Sequence, residues 1–406
     1  MSKGWLVCLA CASEKTGKIS VIEAYDTPLF LLGKLQRFYG ENMTHALGVG
    51  KLTSKINSVS IIEYVINAME KSHDQRLFAR RLLAIVALSV VMAACGQEKV
   101  AQPRQPEPAF NQPVASEYFL NPKDDYFKEL KETLPLTDNP VAIANIDRLL
   151  KTPVAQWLNG SMESTRLLLK ENLEASVALN KIPIFVAYNI PNRDLGGEAK
   201  GGMINSDNYR RWIDMVSETI GSASAVMILE PDALAGLPEM PDENQKEDRV
   251  ESLRYALTVF QKSNPHMAVY LDAGNSAWLK PHAATDLISQ VDPNGTLVGG
   301  IALNVSSRRS DADTVRYADV ISQGLGRRLR VMIDNSRNGA RNTDSLVGWC
   351  NVKGERVGIL DNIVYSTDSY VETSFIKTPG ESDGRCGESD KRSGEFDSRL
   401  LLDQVS

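Results

Sequence analysis

Five short apolar, β-branched runs in the second half of this chain each break off into a cluster of polar residues. They occupy residues 184–188, 225–230, 269–271, 297–303 and 329–333, and they lead to Asp194, Asp232, Asp272, Asn304 and Asp334. Runs without polar alternation suit strands buried on both faces, the condition of a parallel sheet covered by helices. Helix-length amphipathic stretches separate them. Residues 205–220 place Tyr209, Trp212, Ile213 and Val216 at helical spacing, with Trp212 facing a core, and residues 246–262 form another such stretch. This alternation predicts a parallel βα architecture, and closing it gives an α/β barrel whose working groups sit on the loops after the strands. Carboxylates placed there repeatedly, beside few histidines, predict acid–base work on a neutral polar substrate.

With 406 residues the chain has room for one large domain and an extension, and its net charge of −6 argues against nucleic acid as a partner. Arg76, Arg80 and Arg81 precede an uncharged apolar run, residues 82–94, too short for a membrane span and suited to the core of an export signal. The run ends in Val91-Met92-Ala93-Ala94-Cys95, which resembles a bacterial lipobox and makes Cys95 the expected site of lipidation. Met69 opens a conventional signal. The reading is therefore an over-extended start (1–68), a signal peptide with lipobox (69–95), a Pro-rich linker (96–115) and one main domain (116–406). An ordinary cleaved signal peptide, or a small domain ahead of an anchor helix, is the alternative. Of five cysteines, Cys8 and Cys11 form a C-x-x-C pair, but no second pair stands at zinc-binding spacing.

Seven motifs follow in order. They are Tyr188-Asn189-Ile190-Pro191-Asn192-Arg193-Asp194, Glu230-Pro231-Asp232, Leu271-Asp272-Ala273-Gly274, Leu303-Asn304-Val305-Ser306, Asp334-Asn335-Ser336-Arg337-Asn338-Gly339, Trp349-Cys350-Asn351 and the stretch from Lys377 to Gly384. In this order and at these separations, over residues 140–400, they resemble glycoside hydrolase family six, the inverting cellulases. The resemblance implies a distorted seven-stranded parallel (β/α) barrel, TIM-like, that hydrolyses β-1,4-glucan with inversion and without a cofactor or metal. Inversion needs a protonated carboxyl for the leaving oxygen and a second carboxyl, about 6.5–9.5 Å away, to activate water on the opposite face.

By position, Asp232 matches the family's general acid and Asp194 the residue that raises its pKa. Asp383 matches the residue usually proposed as base, although the base is disputed, and Tyr188 the tyrosine that crowds the reacting sugar. Trp157, Trp278 and Trp349 match tryptophans on which sugar rings stack; Lys377 and Glu381, with Asn304, are the expected hydrogen-bonders of sugar hydroxyls. Cys350 and Cys386 match a family disulfide and suit an exported protein. Each residue also has a plainer reading: Asp232 as a helix N-cap, Asp194 as a partner of Arg193, Asp383 as a turn former, Lys377 and Glu381 as an exposed ion pair. Asp272 and Asp334 read equally well as structural hydrogen-bonders.

Several positions depart from the pattern. Leu195 stands where the family carries a cysteine, Asn275 where a histidine is common and Phe375 where a tryptophan is common. In the loop from 196 to 202, Ala199 and Lys200 occupy the neighbourhood of a small hydroxyl residue that helps to position water. Metal-dependent hydrolysis is disfavoured because the main domain has only His266 and His282, and a serine esterase because Gly-x-Ser-x-Gly is missing. The expectation is an endo-acting glucanase, because segments between motifs, such as 358–370, are short for roofing a tunnel. It is exported as an outer-membrane lipoprotein or secreted, and monomeric. An exo-acting cellobiohydrolase, or a glucan-binding lipoprotein that has lost turnover, is the alternative.

Overall fold

A computed structural model describes residues 117–341, 348–358, 366 and 368–406. The signal, lipobox and linker readings, with Cys95, Cys8 and Cys11, lie outside the described residues, as does most of the segment 358–370.

Seven parallel strands follow one another in chain order: β1 Gln156–Leu158, β2 Ile184–Ala187, β3 Ala225–Leu229, β4 Met267–Asp272, β5 Gly300–Leu303, β6 Leu329–Asp334 and β7 Ser369–Ser374. The crossovers carry α3 (Met162–Ala178), α4 (Ser206–Ile220), α5 (Glu243–Ser263), α6 (Pro281–Val291) and α7 (Asp311–Gly324). Helices α1 (Asp125–Thr133) and α2 (Pro140–Leu149) precede the sheet, and α8 (Ser398–Val405) follows it. Side-chain caps fix where these helices begin. Asn205, Asp242 and Ser310 each accept the N–H of the residue three positions on, satisfying a donor that the first turn leaves free.

Period-two alternation explains why the strand runs read as continuously apolar. Ile184, Val186, Val226, Ile228, Ala268, Tyr270, Ala302 and Met332 form a core inside the barrel. Their neighbours Phe185, Ala187, Met227, Leu229, Leu271, Ile301, Val331 and Ile333 face the helices in a second core, with Trp212 of α4 fully buried among them. The barrel interior also holds a carboxylate: Glu372 of β7 accepts Tyr118 Oη at 2.6 Å and the hydroxyl of Tyr270. A half-buried acid survives there because both its oxygens are bonded.

The sheet is not closed. Among the described residues no ladder forms between β7 and β1, and the two ends meet at one parallel bridge, Val154 with Phe375, through Ala155 N–H to Phe375 O at 3.0 Å. A third apolar cluster covers this seam: Tyr126, Phe127 and Leu130 of α1, Ala142, Ile146 and Leu149 of α2, and Leu401 and Val405 of α8, packed with Val154, Val357 and Phe375. Phe375, which replaces a tryptophan of the family pattern, is thus a seam residue, 1% exposed.

Candidate active site

The strands' C-terminal ends bring the sequence motifs to one rim, and the backbone there is unusual. Asn192, Asp194, Leu195, Glu230, Asp232, Asn304, Ser306 and Asn351 all have left-handed φ, between 41° and 69°. Asp and Asn tolerate that region; Glu230 and Leu195 do so at a cost, and such strain concentrates where function demands a fixed geometry.

Glu230 explains how the rim is held. It is fully buried at the end of β3, and its carboxylate accepts the N–H groups of Asn189 (3.0 and 3.1 Å to its two oxygens) and Ile190 (3.1 Å). Burial pushes its pKa up to about 7 against the pull of those N–H groups. It thereby pins the start of the Tyr188–Asp194 loop to the end of β3.

Asp232 keeps a small exposed surface while protein crowds most of it. Burial, then the negative charges of Asp194 and Asp383, push its carboxyl up to about 7, with Arg249 pulling the other way. Its N–H donates to Asp272 Oδ1 at 3.0 Å, and Gly274 N–H donates to the same oxygen at 3.2 Å. Asp272 is itself buried, and burial plus the nearby Asp232 hold its carboxyl well above the usual range. Asp334 is a hub: it accepts N–H groups of Ser306, Ser336, Ile376 and Lys377, tying the ends of β5, β6 and β7 together.

Asp383 has the opposite environment. Burial alone would raise its pKa, but the charges of Arg337 and Lys377, with bonds from Arg337 Nη1 (2.7 Å) and Asn351 N–H (3.0 Å), hold it below the usual carboxylate range. Asn351 closes the pair by accepting Asp383 N–H at 2.8 Å. Asp194 lies between these extremes, raised by burial and moderated by Ala199 N–H at 2.7 Å and by the charge of Arg193.

The loop from Asp194 to Gly202 folds across the rim. Arg193 pairs antiparallel with Gly201, and Glu198 accepts Arg385 N–H at 3.4 Å beside Gly384, so this loop touches the one that bears Asp383. Ala199, like Trp157, packs against the interior core, whereas Lys200 is exposed. The lysine therefore projects into solvent, its ordinary place.

The expected sugar-contact residues divide. Tyr188, Trp157, Lys377 and Glu381 stand together. The Tyr188 ring meets Trp157 edge-on at 5.2 Å, Trp157 Nε1 donates to Ile376 O at 2.9 Å, and Lys377 Nζ lies 5.8 Å over the indole and 3.0 Å from Glu381. Lys377 is buried, so the reading of an exposed ion pair fails. Trp278, 39% exposed, donates to Glu239 at 2.6 Å, and Trp349 is 64% exposed. Asn304 is a correction. Its amide donates to Arg309 O and Asp334 O and accepts Arg309 N–H, so it braces the loop after β5, and at 0% exposure it presents no surface to a sugar. Cys350 and Cys386 are joined, with Cα atoms 6.0 Å apart.

Sequence reasoning did not assign Glu230, Arg337 or Asn351 as site residues, although all three lie inside the motifs. Their only signal was a charged or amide residue at a strand end, which does not distinguish a brace from a ligand. Among the described residues, no group of three or more His, Cys, Asp and Glu side chains is placed to share a metal ion.

The chain is similar to several known proteins. Endoglucanase A of Thermobispora bispora is 33% identical over 240 residues, covering 59% of this chain and 52% of the relative. A 1,4-β-D-glucan cellobiohydrolase of Podospora anserina is 27% identical over 316 residues, covering 67% of this chain and 77% of the relative. The chain spans about half the length of the first endoglucanases that it matches. An endoglucanase from Mycobacterium tuberculosis, solved with methyl-cellobiosyl-4-deoxy-4-thio-β-D-cellobioside, superposes with a TM-score of 0.64 at 29% identity, over 73% of this chain and 98% of that one. The family described as glycosyl hydrolases family 6 matches residues 115–400, and the chain belongs to it.

Proposed function

We propose that this protein hydrolyses β-1,4-glucosidic bonds of cellulose or a related β-glucan, with inversion and in endo fashion. The observation that carries the reading is the split between two carboxyls at one rim: Asp232 is pushed up to about 7 while Asp383 is held low. Titratable groups driven apart in this way divide the acid and base roles between them. Asp232, protonated near neutrality, gives its proton to the leaving oxygen. Asp383, ionised, draws a proton from water on the opposite face of the ring, and Asp194 keeps Asp232 protonated by its charge. Tyr188, backed by Trp157, crowds the reacting sugar, while Trp278 and Trp349 offer exposed faces for flanking rings.

The endo reading is supported by the exposure of both rim tryptophans and by relatives named endoglucanase. Cellobiohydrolases are also among the relatives, so exo action is the second reading. Purified protein is to be given carboxymethyl-cellulose and cello-oligosaccharides, with product anomers followed by NMR. A fast fall in viscosity and release of the α-anomer support endo, inverting action. Release of the β-anomer overturns the assignment of Asp232 and Asp383.

Export follows from the sequence around Cys95. The protein is read as anchored through lipid on that cysteine; among the described residues no helix is long and apolar enough to cross a membrane. Incorporation of labelled palmitate, abolished by Cys95→Ser, tests the anchor, and release of soluble protein from the wild type overturns it in favour of secretion.

A further inference from the structure

Arg308 is buried, 7% exposed, on the loop after β5, where none of the motifs gave it a role. All three of its nitrogens are engaged. Nε donates to Glu355 Oε1 at 2.8 Å, Nη1 to Gly348 O at 2.5 Å and Nη2 to Trp349 O at 2.9 Å. Glu355, 2% exposed, also takes Gln404 Nε2 at 3.3 Å and lies 3.7 Å from Arg337 Nε. Arg337 in turn holds Asp383 at 2.7 Å and Glu381 O at 2.8 Å. Four buried charges thus alternate in sign from Arg308 through Glu355 and Arg337 to Asp383.

Two facts make Arg308 more than a filler of charge. A buried guanidinium needs a paired anion, and Glu355 provides it; a hydrophobic pair would have filled the same space at no electrostatic penalty. The planar fork also spans two successive carbonyls and a carboxylate at once, which an ammonium cannot do. Those carbonyls belong to Gly348 and Trp349, and the Trp349 ring is 64% exposed. An indole so exposed is oriented chiefly from its backbone side, and Arg308 grips that backbone at Gly348 and Trp349, beside the Cys350–Cys386 bridge.

We propose that Arg308, held by Glu355, is a positioning residue that fixes Trp349 as a sugar-stacking platform and keys it to the Arg337–Asp383 pair. The platform role rests on the glucanase reading above; the grip on the backbone does not.

Arg308→Lys keeps the positive charge beside Glu355, and so leaves Arg337 and Asp383 undisturbed, but forfeits the fork. Losing hydrogen bonds from a charged donor should raise KM for cellohexaose about tenfold while kcat stays within about twofold. Cleavage of a short aryl cellobioside that does not reach Trp349 should be unaffected. A readout independent of turnover comes from protein labelled with 5-fluorotryptophan, in which the Trp349 resonance is assigned by its loss in Trp349→Phe. In Arg308→Lys that resonance should shift or split while the others hold. Glu355→Gln, which leaves Arg308 without its anion, should move the same resonance and carries the test if Arg308→Lys fails to fold. An unmoved Trp349 signal in the folded variants, or a fall in kcat with KM constant, overturns the proposal. A moved signal in a protein whose wild type cleaves no glucan supports the grip and overturns the glucanase reading instead.

Discussion

Asp232→Asn is expected to inactivate the protein at every pH and, at high pH only, to make it more stable. The folded protein holds the Asp232 proton up to about 7, whereas an unfolded aspartate, with a model value of 3.8, releases it. Between those pH values the unfolded state binds fewer protons than the folded one, so stability falls as pH rises through the window. A displacement of about three pKa units corresponds to about 4 kcal/mol of stability withheld from the wild type above pH 7. Asparagine cannot ionise and escapes that loss. Removing the charge also relieves Asp272 and Asp194, whose raised carboxyls face Asp232 or act on it, so their response has the same sign. Urea midpoints for wild type and Asp232→Asn at pH 4.5 and pH 8 provide the assay. The variant's advantage should be small at the lower pH and grow by several kcal/mol at the higher. An equal difference at both pH values would refute the argument that Asp232 is kept protonated by its surroundings. The same environment sets the alkaline limb of the pH–rate profile near 7.

Three further outcomes follow from the geometry. Lys200→Ala should leave the pH–rate profile unchanged, because the lysine is exposed; an upward shift of the alkaline limb would show that its charge reaches Asp232. Gly202→Ala should cripple turnover: at φ +92° an added Cβ would lie 1.9 Å from Ile190 O, forcing the Asp194 loop off its seat, and a variant of normal kcat would contradict that. Reduction of Cys350–Cys386, or Cys350→Ser with Cys386→Ser, opens a loop of 36 residues and should cost about 3–4 kcal/mol by loop entropy, read as a change in denaturation midpoint.

The central strands were legible because both faces of each are largely buried, so β2 to β6 appear as apolar runs near their true positions, interrupted in β6 by Arg330. β4 begins at Met267 and β5 at Gly300, two residues earlier and three later than the apolar runs suggest, since an apolar run does not mark where pairing starts. β1 and β7 carry no such run. β1 has three residues, and β7 reads Ser-Tyr-Val-Glu-Thr-Ser, with Glu372 turned into the barrel toward two tyrosines that sit 102 and 254 residues away in sequence. Both strands came from the family resemblance and could not be read from periodicity. The site shows the same division. Asp232 and Asp194 stood out as acids after strand-like runs and Asp383 came from the resemblance, but Asn304, also at a strand end, proved to be a brace. Nothing in its own sequence separates the two fates; the difference lies in Arg309 and Asp334, which take both N–H donors of its amide, and in its complete burial.

The uncompleted seam between β7 and β1 has a consequence for how the chain reaches its native state. The cover over that seam is made by α1 and α2 from the front of the domain and α8 from its far end. α2 is stitched to α8 by Asn145 Nδ2 to Val405 O at 2.8 Å, across 260 residues of chain, and α8 is tied to the segment before β7 by Val357 N–H to Gln404 O at 3.0 Å. During synthesis from the N-terminus, the strands can pair in order as they emerge, each with its predecessor. The first two helices, though, must wait for their partner. Contacts of such long range form slowly because their loop entropy is lost before any contact is gained. The barrel is accordingly a structure that zips locally and locks last, and until α8 is made its gap leaves Phe375, Leu130 and Ile146 open to water and to other unfinished chains.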